Sequence, residues 1–258
     1  MTADEPFAHE LRVAVEAARK AGDEVARLRR EGVRYGHKDG HELVSEADLH
    51  AAEILHSAII GAFPGDGWLS EEHTDTSHRL GRDRAWIVDP IDGTREYLQG
   101  VPEYSVSVGF AVESEVVLGV VYNPAAGELD AAVCSGVPER EPSRLLRKFD
   151  VLVGRGEHRW DDLPPLPREA RPRGVGSVAY RLALIARGKG DSVITASGRS
   201  EWDVAAGAAL CKAAGLRITD ILGDDLQFNK ADPYIRGLIA AEPGLHHQLD
   251  RFFAPYRR

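Results

Sequence analysis

"AWIVDPIDGTREY", residues 85–97, decides how the chain is read. An apolar run reads as a short buried strand ending at Val88, and two aspartates three apart, Asp89 and Asp92, leave its end together. Pro90 stiffens the backbone between them. Two acids held this close cost free energy unless a cation lies between them. Rigid carboxylates of this kind are hard oxygen donors that suit Mg2+, with Mn2+ the alternative, rather than zinc, which prefers His and Cys. The carbonyl of Ile91 adds a third oxygen. Gly93 and Thr94 then open a helix, whose first amides are unpaired donors at the positive end of its dipole and form a seat for phosphate. Metal ligands and an anion seat at one point favour phosphoryl chemistry.

Taken alone, D-P-x-D-G reads equally well as a solvated turn. A rival phosphatase motif, D-x-D-G-T with a nucleophilic first aspartate, fails because that position is Pro90. Two further acidic stretches narrow the choice. "WLSEEH" (68–73) places Glu71 and Glu72 after a short apolar step, and "SEWDVAAGAAL" (200–210) places Asp203 at the start of a small-residue helix. A lone acid at either place reads as a helix cap or a solvated group. Of the glutamates, Glu71 reads as the ligand and Glu72 as supporting or solvated.

The remaining chain supplies the frame. Thr2 and Glu5 have the spacing of a capping box. Behind them Phe7, Leu11, Ala14, Ala18, Ala21, Val25 and Leu28 form one apolar stripe of a long helix. "YGHKDGHELVSEAD" (35–48) reads as a mobile loop running into a helix from Ser45 to Phe63, with Ser45 and Asp48 as its caps. "YSVSVGFAV", "EVVLGVVYNP" and "GELDAAV" predict an antiparallel meander. The proline-rich "GVPEREPSR" (136–144) marks a boundary between an N-terminal subdomain, 1–140, and a C-terminal one, 141–258. In the second half, strands at "DVLVG", "DSVITA", Leu216–Ile218 and "GLIAA" alternate with helices near 178–187 and 203–214 and a closing helix. "DLPPLPREARPRG" (162–174) reads as a loop. "GVGSVA" (174–179) fits a dinucleotide fingerprint, but it follows that loop instead of an apolar strand and is set aside.

With 258 residues the chain is long enough for a substantial core. A net charge of -9 without a Lys/Arg block argues against binding a nucleic-acid polymer. The charged N-terminus is neither a signal peptide nor a membrane span. Cys134 and Cys211, far apart and in no C-x-x-C pair, fit a reduced cytoplasmic protein.

"LVSEADLHAAE", "LSEE", "WIVDPIDGTREY" and "SEWDVAAG" occur in the order and spacing of the inositol monophosphatase superfamily, which the chain resembles from about Phe7 to Phe253. The resemblance implies an α/β fold, a five-layered α-β-α-β-α sandwich, and a lithium-sensitive, Mg-dependent phosphomonoesterase with two or three metal ions and a small phosphorylated substrate. A homodimer is common in parts of that superfamily. It implies Glu71, Asp89, the Ile91 carbonyl, Asp92 and Asp203 as metal ligands, and Gly93 and Thr94 as phosphate donors. Asp48, paired with the Thr94 hydroxyl, and Glu71 would help to deprotonate the attacking water. Lys38 falls in the loop that could approach the phosphate.

"DGTREY" is similar to the CysQ-like branch, the 3'(2'),5'-bisphosphate nucleotidases, more than to the D-G-T-T-N-F of inositol monophosphatases. That implies 3'-phosphoadenosine 5'-phosphate as substrate, with inositol 1-phosphate or fructose 1,6-bisphosphate as alternatives. "GSVAYRLALIARGKGD" (176–191) resembles the branch's substrate segment, so Ser177, Arg181 and Glu201 complete the expected substrate contacts. Its usual lysine is replaced by Tyr180, and Arg181 or Arg199 would have to substitute.

Overall fold

The computed structural model describes residues 6–38, 42–134, 148–159 and 165–256. The long apolar stripe forms α1 (Ala8–Glu31), and a hairpin of β1 (Tyr35–Lys38) and β2 (Glu42–Ser45) leads into α2 (Glu46–Ala62). There follow β3 (Gly67–Ser70), β4 (Arg84–Asp92), α3 (Thr94–Gln99), β5 (Ser105–Val112), β6 (Glu115–Asn123) and β7 (Glu128–Val133). Beyond residue 147 come β8 (Phe149–Val153), α4 (Arg155–Arg159), β9 (Ala170–Gly174), α5 (Val178–Ala186), β10 (Ser192–Thr195) and β11 (Arg199–Ser200). The chain closes with α6 (Glu201–Ala213), β12 (Arg217–Asp220), β13 (Tyr234–Ile235), β14 (Leu238–Ala241) and α7 (Pro243–Phe253).

Two five-stranded sheets organise these elements, in the orders β3-β4-β5-β6-β7 and β12-β14-β10-β8-β9. Helices α1 and α2 cover the outer face of the first sheet, burying Trp86, Val88, Val106, Val108 and Phe110. Its other face carries small residues and receives α5 and α6, which also pack on the second sheet. Helix α7 covers the far face of that sheet through Leu245, Leu249 and Phe253. The layering is therefore α-β-α-β-α, as expected. The predicted subdomain boundary at 140/141 lies outside the described residues.

Close approach of α6 depends on two glycines that pair across β5 and β6, Gly109 and Gly119. A Cβ on Gly109 would lie 2.6 Å from the Ala205 Cβ, and one on Gly119 would strike the Ala206 carbonyl oxygen. Gly207, on α6 itself, admits Leu182 of α5 in the same way, at 2.5 Å. Small residues on both elements let helix and sheet backbones nearly touch.

Four local readings are revised. The segment read as a mobile loop is instead the β1–β2 hairpin, with Tyr35 opposite Ser45 and Lys38 opposite Glu42. Helix α1 starts at Ala8 behind Phe7, which adopts a left-handed conformation (φ 58°) and packs edge-on against Phe110; the capping box at Thr2 and Glu5 lies outside the described residues. "ARPRG", read as loop, forms β9 at the edge of the second sheet, where Pro172 is tolerated because only one neighbour needs its hydrogen bonds. "GVGSVA" thus does follow a strand, although an exposed polar one. Finally, the strand before the aspartates does not end at Val88 but runs through Asp92.

Candidate active site

The run of β4 through Asp92 brings the two aspartates together. Residues three apart in a regular strand point to opposite faces. Here Asp89 pairs with Ser107 but Asp92 pairs with Ser105, so β4 spends one more residue than β5 over the interval. The extra residue is a β-bulge, which absorbs Pro90 and brings both carboxylates onto the face that looks at α6. On the same face Ser107 Oγ donates to the Trp202 carbonyl at 3.1 Å. Asp89 is locked by the Ile91 N–H, 2.9 Å from its Oδ1.

Two more acids arrive from neighbouring elements. Strand β3 lies parallel to β4 with Ser70 opposite Val88, which puts Glu71 level with Asp89; the Glu71 N–H donates to the Val88 carbonyl at 3.4 Å. Asp203 sits in the first turn of α6, where the Ser200 N–H donates to its Oδ2 at 3.2 Å. One oxygen each from Asp89, Asp92 and Asp203 can be chosen so that all lie within 4.8 Å of one another. Burial, then Glu71, Asp92 and Asp203, hold the Asp89 carboxyl well above its ordinary value. Asp203 is pushed up to about 8, by burial first and by Asp92 next. Asp92 is also raised by burial, although Ser177 Oγ and the Ala179 N–H, each 2.6 Å from its Oδ2, pull the other way. Buried acids that resist ionising together while offering only hard oxygens fit a divalent cation of the Mg2+ type.

Beside this floor stands a second group. Ser45 caps α2, and its N–H and Oγ donate to Asp48 Oδ2 at 2.7 and 2.6 Å. Thr94 Oγ1 lies 3.0 Å from both Asp48 Oδ1 and the Ile91 carbonyl oxygen, so its single proton is shared between two acceptors. Burial raises the Asp48 carboxyl. Gly93 turns the chain with φ 95°, and the first bond of α3 runs from the Tyr97 N–H to the Gly93 carbonyl. The amides before Tyr97 therefore lack an intrahelical acceptor.

The four acids of the floor, Ile91, Gly93 and Thr94 line one cavity of about 320 Å³ together with Arg95, Glu96, Arg155, Glu157, Gly176, Ser177, Arg181 and Arg199. Of the expected residues, Glu71, Asp89, Ile91, Asp92, Gly93, Thr94, Ser177, Arg181 and Asp203 all line it, and Asp48 adjoins it through Thr94. Ser177, expected to touch a nucleotide, has its hydroxyl engaged: it donates to Asp92 and accepts from the Tyr180 N–H at 3.0 Å. Glu201 is not brought to the cavity. Its buried carboxylate accepts the N–H groups of Asn229 and Lys230 at 2.6 and 3.1 Å. Lys38 is the last residue of β1.

Glu96, Arg155 and Glu157 were not foreseen. Arg155 makes a two-pronged bond to Glu103, 2.6 Å at each oxygen, and Glu103 also accepts the Gly176 N–H at 2.7 Å. Only Glu96, in "DGTREY", had a local signal; the others are assembled by tertiary packing.

Comparison with known proteins adds to this geometry. The sequence profile of the Inositol monophosphatase family matches residues 8–254. The chain belongs to the inositol monophosphatase family. An inositol-1-monophosphatase from Mesorhizobium japonicum is 34% identical over 235 residues, 83% of this chain and 86% of that protein. A histidinol-phosphatase from Chlorobaculum parvum is 32% identical, over 80% of this chain and 83% of its own. Among solved structures, the Thermotoga maritima IMPase superposes with a TM-score of 0.76 at 26% identity, covering 94% of this chain and 96% of its own. This protein is thus a phosphatase of the inositol monophosphatase family, whose members generally use Mg2+ and act on small phosphorylated substrates. Among the described residues no helix is long and apolar enough to cross a membrane.

Proposed function

We propose that this protein is a Mg-dependent phosphomonoesterase whose preferred substrate is the monophosphate of a small polyhydroxy alcohol, with inositol 1-phosphate as the reference compound. The observation that carries the reading is the convergence of Asp89, Asp92 and Asp203 beside the Gly93–Thr94 turn that opens α3. Glu71, Asp89, the Ile91 carbonyl, Asp92 and Asp203 would hold the ions. When bound, Mg2+ supplies positive charge to the phosphate and acidifies water. Gly93 and Thr94 present N–H groups to the phosphate oxygens. When the Thr94 proton turns to Asp48, one of the two acceptors it faces, a lone pair of Thr94 Oγ1 is left to receive a proton from water attacking phosphorus. Burial of Asp48 raises its proton affinity and suits it to that task.

The basic groups on the wall favour a monophosphate. Arg155 is committed to Glu103, and Arg181 and Arg199 share Glu157. A second phosphate dianion would meet one net positive charge there, not two. The second reading, a 3'(2'),5'-bisphosphate nucleotide, rests on "DGTREY" and on Arg95 at the cavity. Phosphate release from inositol 1-phosphate, histidinol phosphate and 3'-phosphoadenosine 5'-phosphate, each with and without Mg2+, tests both. The expected result is Mg-dependent release with the highest kcat/KM for inositol 1-phosphate. A nucleotide preference overturns the substrate assignment, and no release from any of the three overturns the enzyme.

A further inference from the structure

The cavity wall beside the carboxylate floor holds a group that the proposed reaction does not use. Glu157, in the turn α4, is 6% exposed, yet its carboxylate is crowded with donors. Oε2 accepts the Gly154 N–H at 3.0 Å; Oε1 accepts Ser197 Oγ at 2.6 Å, the Ser197 N–H at 3.3 Å and the Thr195 hydroxyl. It thereby ties the end of β8 to the end of β10 and to the loop that leads into Arg199 of β11. Two guanidinium groups flank it, Arg199 Nη2 at 3.4 Å from Oε1 and Arg181 Nη1 at 3.7 Å from Oε2.

Neither arginine is fully satisfied by this arrangement. Arg181 is 2% exposed; its Nε donates to the Ser177 carbonyl at 3.3 Å, but Nη1 has no hydrogen-bond acceptor among the described residues. Arg199 Nη2 donates to Thr195 Oγ1 at 3.2 Å, and its Nε likewise has no acceptor. An unmade hydrogen bond on a buried charged donor is costly and calls for an acceptor from outside the chain. Both side chains line the cavity that contains Asp92, Thr94 and Asp203.

We infer that Glu157 is a positioning residue that presents Arg181 and Arg199 as a paired donor wall for the acceptor oxygens of the alcohol being released. The recognised chemistry is a hydroxylated or carboxylated leaving group. Alcohols without such oxygens gain nothing from this wall. The inference rests on the phosphatase reading but has its own readout. Calorimetric binding of inositol 1-phosphate and of phenyl phosphate, in Mg2+, compares an ester with these oxygens to one without. In the wild type inositol 1-phosphate binds tighter. Glu157→Gln weakens it about tenfold, the equivalent of about 1.4 kcal/mol, and changes phenyl phosphate less than about twofold, since the phosphate seat is untouched. Arg199→Lys, at a partly exposed position that keeps the charge but loses the fork, gives the same selective loss if the buried variant does not fold. Equal weakening of both esters, or of neither, overturns the inference. Turnover of the same esters is read separately: if the wild type hydrolyses neither, the phosphatase reading falls while the binding contrast still decides the wall.

Discussion

The floor and the wall of the cavity are both built from buried carboxylates, yet burial leads to opposite ends. On the floor, Asp203 is pushed up to about 8 because Asp92 and Glu71 add to the effect of desolvation. On the wall, burial also pushes Glu157 up, but Arg181, Ser197, Thr195 and Arg199 carry it below its ordinary value. The same functional group is thus kept reluctant to ionise in one part of the cavity and firmly ionised in another. What differs is the company, since donors stabilise the anion and neighbouring acids do not. The Glu157 carboxylate is balanced by donors from within the chain, whereas on the floor Arg199 only partly offsets the mutual repulsion of the acids.

Removing a floor carboxylate is the harshest test of that contrast. Asp92→Asn should lower kcat/KM by more than about 100-fold, the upper range for changes in groups that merely support a metal ligand. Its thermal midpoint should hold or rise, because one member of a repelling set is gone. Loss of fold instead of activity, seen by circular dichroism, would make Asp92 a structural acid. Next in size is the prop beneath it. Ser177→Ala removes the hydroxyl that donates to Asp92 at 2.6 Å and should cost about 10- to 100-fold in Mg2+ affinity or activity. An unchanged Mg2+ titration would show that the Ala179 N–H suffices.

A third test is read in stability against pH. The folded value of Asp203, about 8, lies above its ordinary value of 3.8. Its contribution to metal-free stability is therefore intact below about pH 4 and is lost as pH rises through about 8. Without metal the thermal midpoint should fall across this range. Added Mg2+ should restore it most at the alkaline end, by about 2.7 kcal/mol at a hundredfold excess over Kd. Asp203→Asn should flatten the metal-free slope; a slope that survives unchanged would assign it to other groups.

Legibility followed the distance over which each feature is encoded. Asp89, Asp92, Gly93 and Thr94 are contiguous, so their chemistry could be read from one stretch. Their geometry could not, because the bulge is defined only by the partner serines on β5. Glu201 was misplaced through its nearness in sequence to Asp203. Two steps along a helix turn a side chain to the other side, and Glu201 faces the Asn229–Lys230 turn. Glu157 gave no local signal, since its arginine partners lie 24 and 42 residues further on. The β1–β2 hairpin and β9 were missed because polar, proline-bearing or edge strands lack the apolar alternation that marks a buried one.

Gly109 and Gly119 sit behind the cavity, yet they set its gauge. Asp203 rides on α6, and Asp89 and Asp92 ride on β4, so the span between the ligands is the thickness of the gap between helix and sheet. That gap is as thin as it is because Ala205 and Ala206, two and three residues past Asp203, rest on backbone with no side chain beneath. The grip on a divalent ion is therefore machined by two residues that never meet it, and a single methyl added in that gap would loosen the jaw.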